Sequence, residues 1–388
     1  MTDIQGSYDE LFSAVPSALA GLLNDGDTGG SIAVFVDGEP VVDVWGGFAD
    51  AERTIPWQQD TIVLVYSVTK TMTALCALML ADRGELDLDA PVSRYWPEFA
   101  AAGKEKVLVR HLLGHTAGLP HWDGPVEEIY DWPAATARLA ATAPLWEPGT
   151  VAGYHSLTQG FLVGEVIRRI TGQTVGGFFA AEVAGPLGAD FHIGLPAEHD
   201  HRVAVTIPPP GRDEDYSASS AVPSDAPPPP GTALRVRDGN STAWRRAQNP
   251  AVGGYGNARS VALVQSVMAC GGTVQGRRLL SQAGCERVTE EQGVDSLLGM
   301  PVHWGLGYAL ENPMLNQLYS NRFKGHRLAF WGGAGGSIVV NDLTERMTIT
   351  FAMNKHVEHG GIDRRSVVLV GAVYDALAAT RREASGRG

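Results

Sequence analysis

The run "VYSVTKTMTALCALML", residues 65–80, decides how the rest of the chain is read. It sets a serine, two spacers and a lysine at the front of a long apolar stretch. A helix here places Ser67 and Lys70 on one face, three residues apart, so the amine reaches the hydroxyl. Serine is a weak nucleophile until a neighbouring base takes its proton. A lysine desolvated among apolar side chains loses basicity and becomes able to serve. The plainer alternative is a helix-capping serine and a lysine whose stem lies along the core. With twenty serines and five lysines in the chain, one Ser-x-x-Lys lies within what chance supplies. The pair needs support from elsewhere.

Composition narrows the classes first. The chain has 388 residues, 44% hydrophobic and 19% charged, with a formal net charge of -13. That balance fits an ordinary soluble globular protein large enough for one big or two modest domains. A nucleic-acid surface needs clustered Lys and Arg, so no nucleic-acid partner is expected. No apolar run approaches a membrane span, and no membrane partner is expected. The amino terminus, "MTDIQGSYDELFSAVPSAL", lacks the basic and apolar regions of a secretory signal. Cys76, Cys270 and Cys285 are odd in number and have no metal-type spacing, which reads as reduced thiols in a cytoplasmic protein. The oligomeric state stays open.

Outward from residues 65–80, helical patterning runs to about residue 185, punctuated by Gly and Pro stops. Residues 8–24 read as an amphipathic helix. Residues 31–50, "SIAVFVDGEPVVDVWGGFAD", give two β-rich runs around Asp37-Gly38, a hairpin signal. Residues 207–231 are rich in Pro, Ser and acid and read as a surface excursion. Strand character returns at 327–331, 336–342 and 346–354, and an apolar-faced helix closes the chain over 365–382. The expected fold is therefore mixed α/β (α+β). A split domain of residues 1–66 and 250–388 builds an antiparallel sheet from both termini, a mainly helical domain of residues 67–249 is inserted, and the active site lies between them.

Two further stretches follow the Ser-Lys pair in order. Ser-x-x-Lys with a later Lys-Thr-Gly marks penicillin-binding proteins and serine β-lactamases. "WEPGTVAGYHSLTQGFLVGEVIRRITG" (146–172) resembles their Tyr-x-Asn segment and reads Tyr154-His155-Ser156. "VRHLLGHTAGLP" (109–120) resembles the segment after the first catalytic helix. "FWGGAGGSIVVND" (330–342) stands where the third motif belongs, with Trp331, Gly332 and Gly333 in its three positions. Across residues 60–355 the chain resembles the serine β-lactamase-like superfamily, most of all the family VIII carboxylesterases, whose third motif often reads Trp-Gly-Gly.

The resemblance implies Ser67 as nucleophile, Lys70 as its proton partner and Tyr154 as proton shuttle. It implies an oxyanion hole from the N–H groups of Ser67 and Ala334. A nearby ammonium would favour the Tyr154 phenolate. Gly332 and Gly333 would admit substrate to the strand edge, and Trp331, Ser156 and His155 would contact it. Where β-lactam-binding relatives carry a cation, Trp331 supplies a neutral indole, and Ser156 replaces an asparagine amide. Both departures favour simple neutral esters over peptide-like β-lactams. The expected partner is a small ester, with no cofactor and no metal. The rivals are an amidase, β-lactamase or acyltransferase on the same scaffold, and a non-catalytic binding protein that keeps the fold.

Other signals carry less. No Gly-x-Ser-x-Gly elbow occurs. His111 and His115 lack the glutamate of a zinc helix, and "HVEH" (356–359) has no evident third ligand. Trp122, Trp132, Trp146, Trp304 and Tyr308 read as core, with one or two able to wall an acyl pocket.

Overall fold

The computed structural model describes residues 2–209, 235–297, 299–357 and 363–385. Most of the Pro-rich stretch 207–231, and His359 of "HVEH", fall outside them.

Asp37 and Gly38 both take positive φ (51° and 84°), the primed turn whose twist matches a hairpin. It joins β2 (Gly29–Val36) to β3 (Glu39–Gly47). Seven further strands complete the sheet: β1 (Ile4–Tyr8), β4 (Gly293–Leu297), β5 (Met300–Trp304), β6 (Ala309–Leu310), β7 (Leu328–Gly332), β8 (Ile338–Asp342) and β9 (Met347–Met353). The described residues thus form a nine-stranded antiparallel sheet in the order β1-β3-β2-β9-β8-β7-β6-β5-β4. Strands from both chain ends meet where β9 pairs with β2, Ile349 opposite Val34. Both strands are buried on two faces, which is why their sequences read as continuous apolar runs.

Alternation along β2 separates two cores. Ile32 and Val34 face helices α1 (Ala14–Asn24) and α6 (Arg364–Ser385). Ala33 and Phe35 face the other layer, which holds α2 (Thr69–Asp82), α3 (Trp132–Ala141), α4 (Thr158–Thr171) and α5 (Ala258–Ala269). Every residue of α2 from Thr69 to Leu80 is buried. A helix apolar on all sides belongs in the interior, so any polar group it carries there needs a partner or a task. Lys70 is such a group.

The amino terminus departs in part from expectation. The α-helix starts at Ala14 and not at residue 8, Glu10–Phe12 form a single 3-10 turn before it, and Ile4–Tyr8 is an edge strand paired with β3. Its side chains are almost all exposed, so no apolar period marks it. Backbone pairing alone makes the strand. Among the described residues no helix is long and apolar enough to cross a membrane, and Cys76, Cys270 and Cys285 are unpaired thiols.

Candidate active site

Ser67 lies in a one-turn 3-10 segment, Tyr66–Val68, that leads directly into α2. The chain enters from the short strand Val63–Leu64 and turns at Tyr66, whose φ of 45° is sparsely populated for an aromatic residue. The Tyr66 hydroxyl donates to the Val236 carbonyl at 3.2 Å. That turn aims the Ser67 hydroxyl at two groups. Lys70 Nζ stands 3.0 Å from Ser67 Oγ, and Tyr154 Oη stands 2.8 Å from the same oxygen. All three side chains are buried.

Lys70 Nζ also reaches the carbonyls of Ser156 (2.7 Å) and Ala251 (3.1 Å). Carbonyls only accept, so each takes an N–H. An ammonium donates its third N–H to Ser67 Oγ, whereas a neutral amine, with two N–H bonds, turns its lone pair to the Ser67 hydroxyl. Burial favours the amine, holding the Lys70 ammonium well below its ordinary pKa. Tyr154 is pushed up to about 12, burial outweighing its hydrogen bonds to Ser67 and Trp331. Desolvation thus works against both charges of the expected ammonium-stabilised phenolate and favours an amine beside a phenol.

Tyr154 is clamped on every side. Its N–H donates to Asp295 Oδ2 at 2.9 Å, its ring stacks on Trp304 with centroids 5.6 Å apart and 7° between planes, and the Trp331 indole N–H donates to its hydroxyl at 3.3 Å. Trp304, on β5, is one of the aromatics expected in the core or on a pocket wall, whereas Asp295, on β4, is not legible as a site residue. A single aspartate in "GVDSL" carries no local pattern, and it meets Tyr154 only through the sheet.

Two expected substrate contacts move elsewhere. His155 is fully buried and cannot touch a substrate. Its Nδ1 meets the Gly153 carbonyl at 2.5 Å, its Nε2 accepts from the Leu119 N–H at 3.0 Å, and burial lowers it to about pKa 3. It is a neutral brace behind Tyr154. Trp331 is largely buried too, packing on Trp304 and Tyr154, so its main task is to hold the phenol. Ser156 offers its carbonyl to Lys70. Tyr308 is core, donating to the Thr71 carbonyl at 3.0 Å. His111 and His115 are engaged by the Leu108 and His155 N–H groups, and among the described residues no group of three or more potential ligands is assembled for a metal.

Gly332 to Gly336 border the site, half-buried. A Cβ on Gly332 would meet little, whereas one on Gly333 would overlap the Val65 carbonyl and lie 3.4 Å from the Ser67 nitrogen. The second glycine therefore lets the end of β7 close on the backbone at Val65 and Ser67. Gly333→Ala should lower kcat about tenfold or more by spreading this seam, with a smaller change in thermal midpoint; esterase assays on the purified variant check it. Ser67 and Ala334 each lie at the start of a 3-10 turn, where N–H groups have no acceptor within the turn.

Comparison with known proteins agrees with this layout. The family model described as Beta-lactamase matches residues 19–372. The chain is 35% identical over 328 residues to "Esterase/beta-lactamase LipL" of Mycobacterium tuberculosis, covering 78% of this chain and 74% of that protein. It is 32% identical over 288 residues to "Esterase EstB" of Burkholderia gladioli, covering 68% of this chain and 69% of that protein. A solved family VIII carboxylesterase superposes with a TM-score of 0.86 at 39% identity, over 96% of this chain and 100% of its own. A penicillin-binding protein homolog from Caulobacter crescentus gives 0.86 at 33%, over 97% and 100%.

Proposed function

The chain belongs to the beta-lactamase family, and from that membership we propose that it is a carboxylesterase cleaving neutral, short-chain carboxylic esters through an acyl-serine intermediate. One observation carries the reading: Ser67 Oγ lies within hydrogen-bonding reach of both Lys70 Nζ and the Tyr154 hydroxyl, beside an indole and not a cation. The cleft is read as lying between the split unit of residues 1–66 and 250–388 and the helical unit of residues 67–249. Three free thiols fit a reducing compartment, and the cytoplasm is our placement.

The steps we assign are supported by the contacts of Ser67 with Lys70 and Tyr154. Lys70 Nζ takes the Ser67 proton as Oγ attacks the ester carbonyl. The oxygen of the tetrahedral intermediate is received by the Ser67 and Ala334 N–H groups. Tyr154 Oη, in contact with Ser67 Oγ, passes a proton to the departing alcohol, and Lys70 returns one to Tyr154. Water then enters and attacks the acyl carbonyl as it gives a proton to the same pair; the acyl–Oγ bond breaks, the acid leaves, and the pair returns that proton to Ser67 Oγ. Trp331 offers no charge to a substrate carboxylate, so neutral acyl groups are favoured.

A panel of p-nitrophenyl esters of rising chain length, run beside nitrocefin and a simple amide, tests the assignment. Fast cleavage of the short esters is expected. Nitrocefin turnover far above that of p-nitrophenyl acetate and butyrate would sink it. A competing alcohol in the same assay separates hydrolysis from acyl transfer.

A further inference from the structure

The stretch Trp331-Gly332-Gly333-Ala334-Gly335-Gly336 carries a second glycine pair that the catalytic reading does not use. Gly335 and Gly336 have φ of 86° and 122°, conformations that favour glycine. A Cβ on Gly335 would overlap the His356 ring, and one on Gly336 would overlap Asp363 and the guanidinium of Arg365. His356 in turn lies edge-on to Tyr66, ring centroids 5.1 Å apart. The loop beside the nucleophile is therefore shaped around buried groups from the far end of the chain.

Arg365, at the start of α6, is 5% exposed. Its five N–H bonds all have acceptors. Nη1 donates to Asp27 Oδ1 and to the Lys355 carbonyl, each at 2.9 Å. Nε donates to Asp363 Oδ2 at 2.7 Å, and Nη2 to Asp363 and the Gly335 carbonyl. No donor is left over for a substrate carboxylate. The guanidinium is committed to the scaffold, and one arm grips the loop.

That arm leads to the nucleophile's neighbour through two peptide units. A trans peptide is planar, with its C=O and N–H pointing in opposite directions. The peptide whose carbonyl Arg365 holds has its N–H on Gly336, which donates to the Gly333 carbonyl at 3.1 Å. The peptide that ends in the Gly333 carbonyl carries the Ala334 N–H on its opposite side. Cation, peptide, peptide and oxyanion donor stand in series, each hydrogen bond polarising the next.

We infer that Arg365 is a positioning residue for the oxyanion hole, orienting and polarising the Ala334 N–H through the Gly335–Gly336 and Gly333–Ala334 peptides. The inference rests on the ester-hydrolase reading of this site. Arg365 touches no substrate; Asp27 and Asp363 compensate its buried charge.

The test is Arg365→Met in the full chain, with kcat expressed per site titrated to completion by a fluorophosphonate at Ser67. A second variant, Arg365→Met with Asp27→Asn and Asp363→Asn, leaves no unpaired buried carboxylate and guards against misfolding. Both should lose about tenfold to hundredfold in kcat per titrated site, less than deletion of a donor outright, with KM within about threefold and the acid limb of the pH profile unmoved. Arg365→Lys, which keeps the charge but not the fork, should fall between. A purely structural role would lower the titrated fraction and leave turnover per site at the wild-type value, and that result in either Met variant overturns the inference. A wild-type protein that takes no adduct at Ser67 sinks the ester-hydrolase reading and this inference together. Labelled wild type with unchanged variant turnover sinks this inference alone.

Discussion

Lys70→Ala is expected to lower kcat by about 10³- to 10⁴-fold, while the protein remains folded. Lys70 Nζ lies 3.0 Å from Ser67 Oγ, and its burial lowers its pKa, which favours the amine that can take the hydroxyl proton. Without it the hydroxyl attacks as a neutral alcohol. Two carbonyls, of Ser156 and Ala251, also lose their donor. A buried acceptor left unpaired costs about 1–3 kcal/mol, so a lower thermal midpoint should accompany the kinetic loss. Lys70→Met, which refills the volume, separates packing from proton transfer and should be as inactive. The wild-type profile carries the sign. As pH falls through the lowered Lys70 pKa, the amine takes a proton and its lone pair is lost, so kcat/KM declines about tenfold per unit. Towards alkaline pH the phenol of Tyr154 persists, its pKa having risen to about 12, and no decline is expected before about pH 10. Lys70→Ala should erase the acid limb along with the activity. Turnover near wild type in that variant would overturn the role of the amine.

Tyr154→Phe is expected to cost about 10²- to 10³-fold in kcat on alkyl esters. The ring of phenylalanine keeps the stack on Trp304 and the contact with Trp331, so the cleft holds its shape. What goes is the hydroxyl 2.8 Å from Ser67 Oγ and, with it, the proton route to the leaving group. An alkoxide leaves poorly without a proton, whereas p-nitrophenolate leaves unaided. The loss should therefore be several times greater for an ethyl ester than for the p-nitrophenyl ester of the same acid. Equal losses on both substrates would mean that Tyr154 only supports the geometry. A drop in thermal midpoint, smaller than that of Lys70→Ala, should accompany the kinetic loss, because the buried indole N–H of Trp331 is the main group left without a partner.

His155 and Trp331 show where sequence reading stops. Both stand inside matched motifs, and proximity in the chain made them substrate contacts. In three dimensions His155 points behind Tyr154 towards Gly153 and Leu119, and Trp331 spends its N–H on the phenol. A motif says that residues share a neighbourhood. Which way a side chain faces depends on packing partners that the motif does not contain.

The amino-acid sequence alone determined the Ser67–Lys70 geometry, because a helix fixes what residues three apart can touch. It also determined the hairpin at Asp37-Gly38 and strands β7, β8 and β9, because apolar runs and turn chemistry are local, but not the edge strand β1 or strands β4 to β6. The tertiary structure alone supplied the burial that lowers Lys70 and raises Tyr154, since desolvation depends on everything packed around them. It alone decided the parts played by Asp295, Arg365 and the carbonyls of Ser156 and Ala251. Those groups lie far from their partners along the chain, several are backbone atoms that every residue possesses, and only the closed fold brings them within hydrogen-bonding reach.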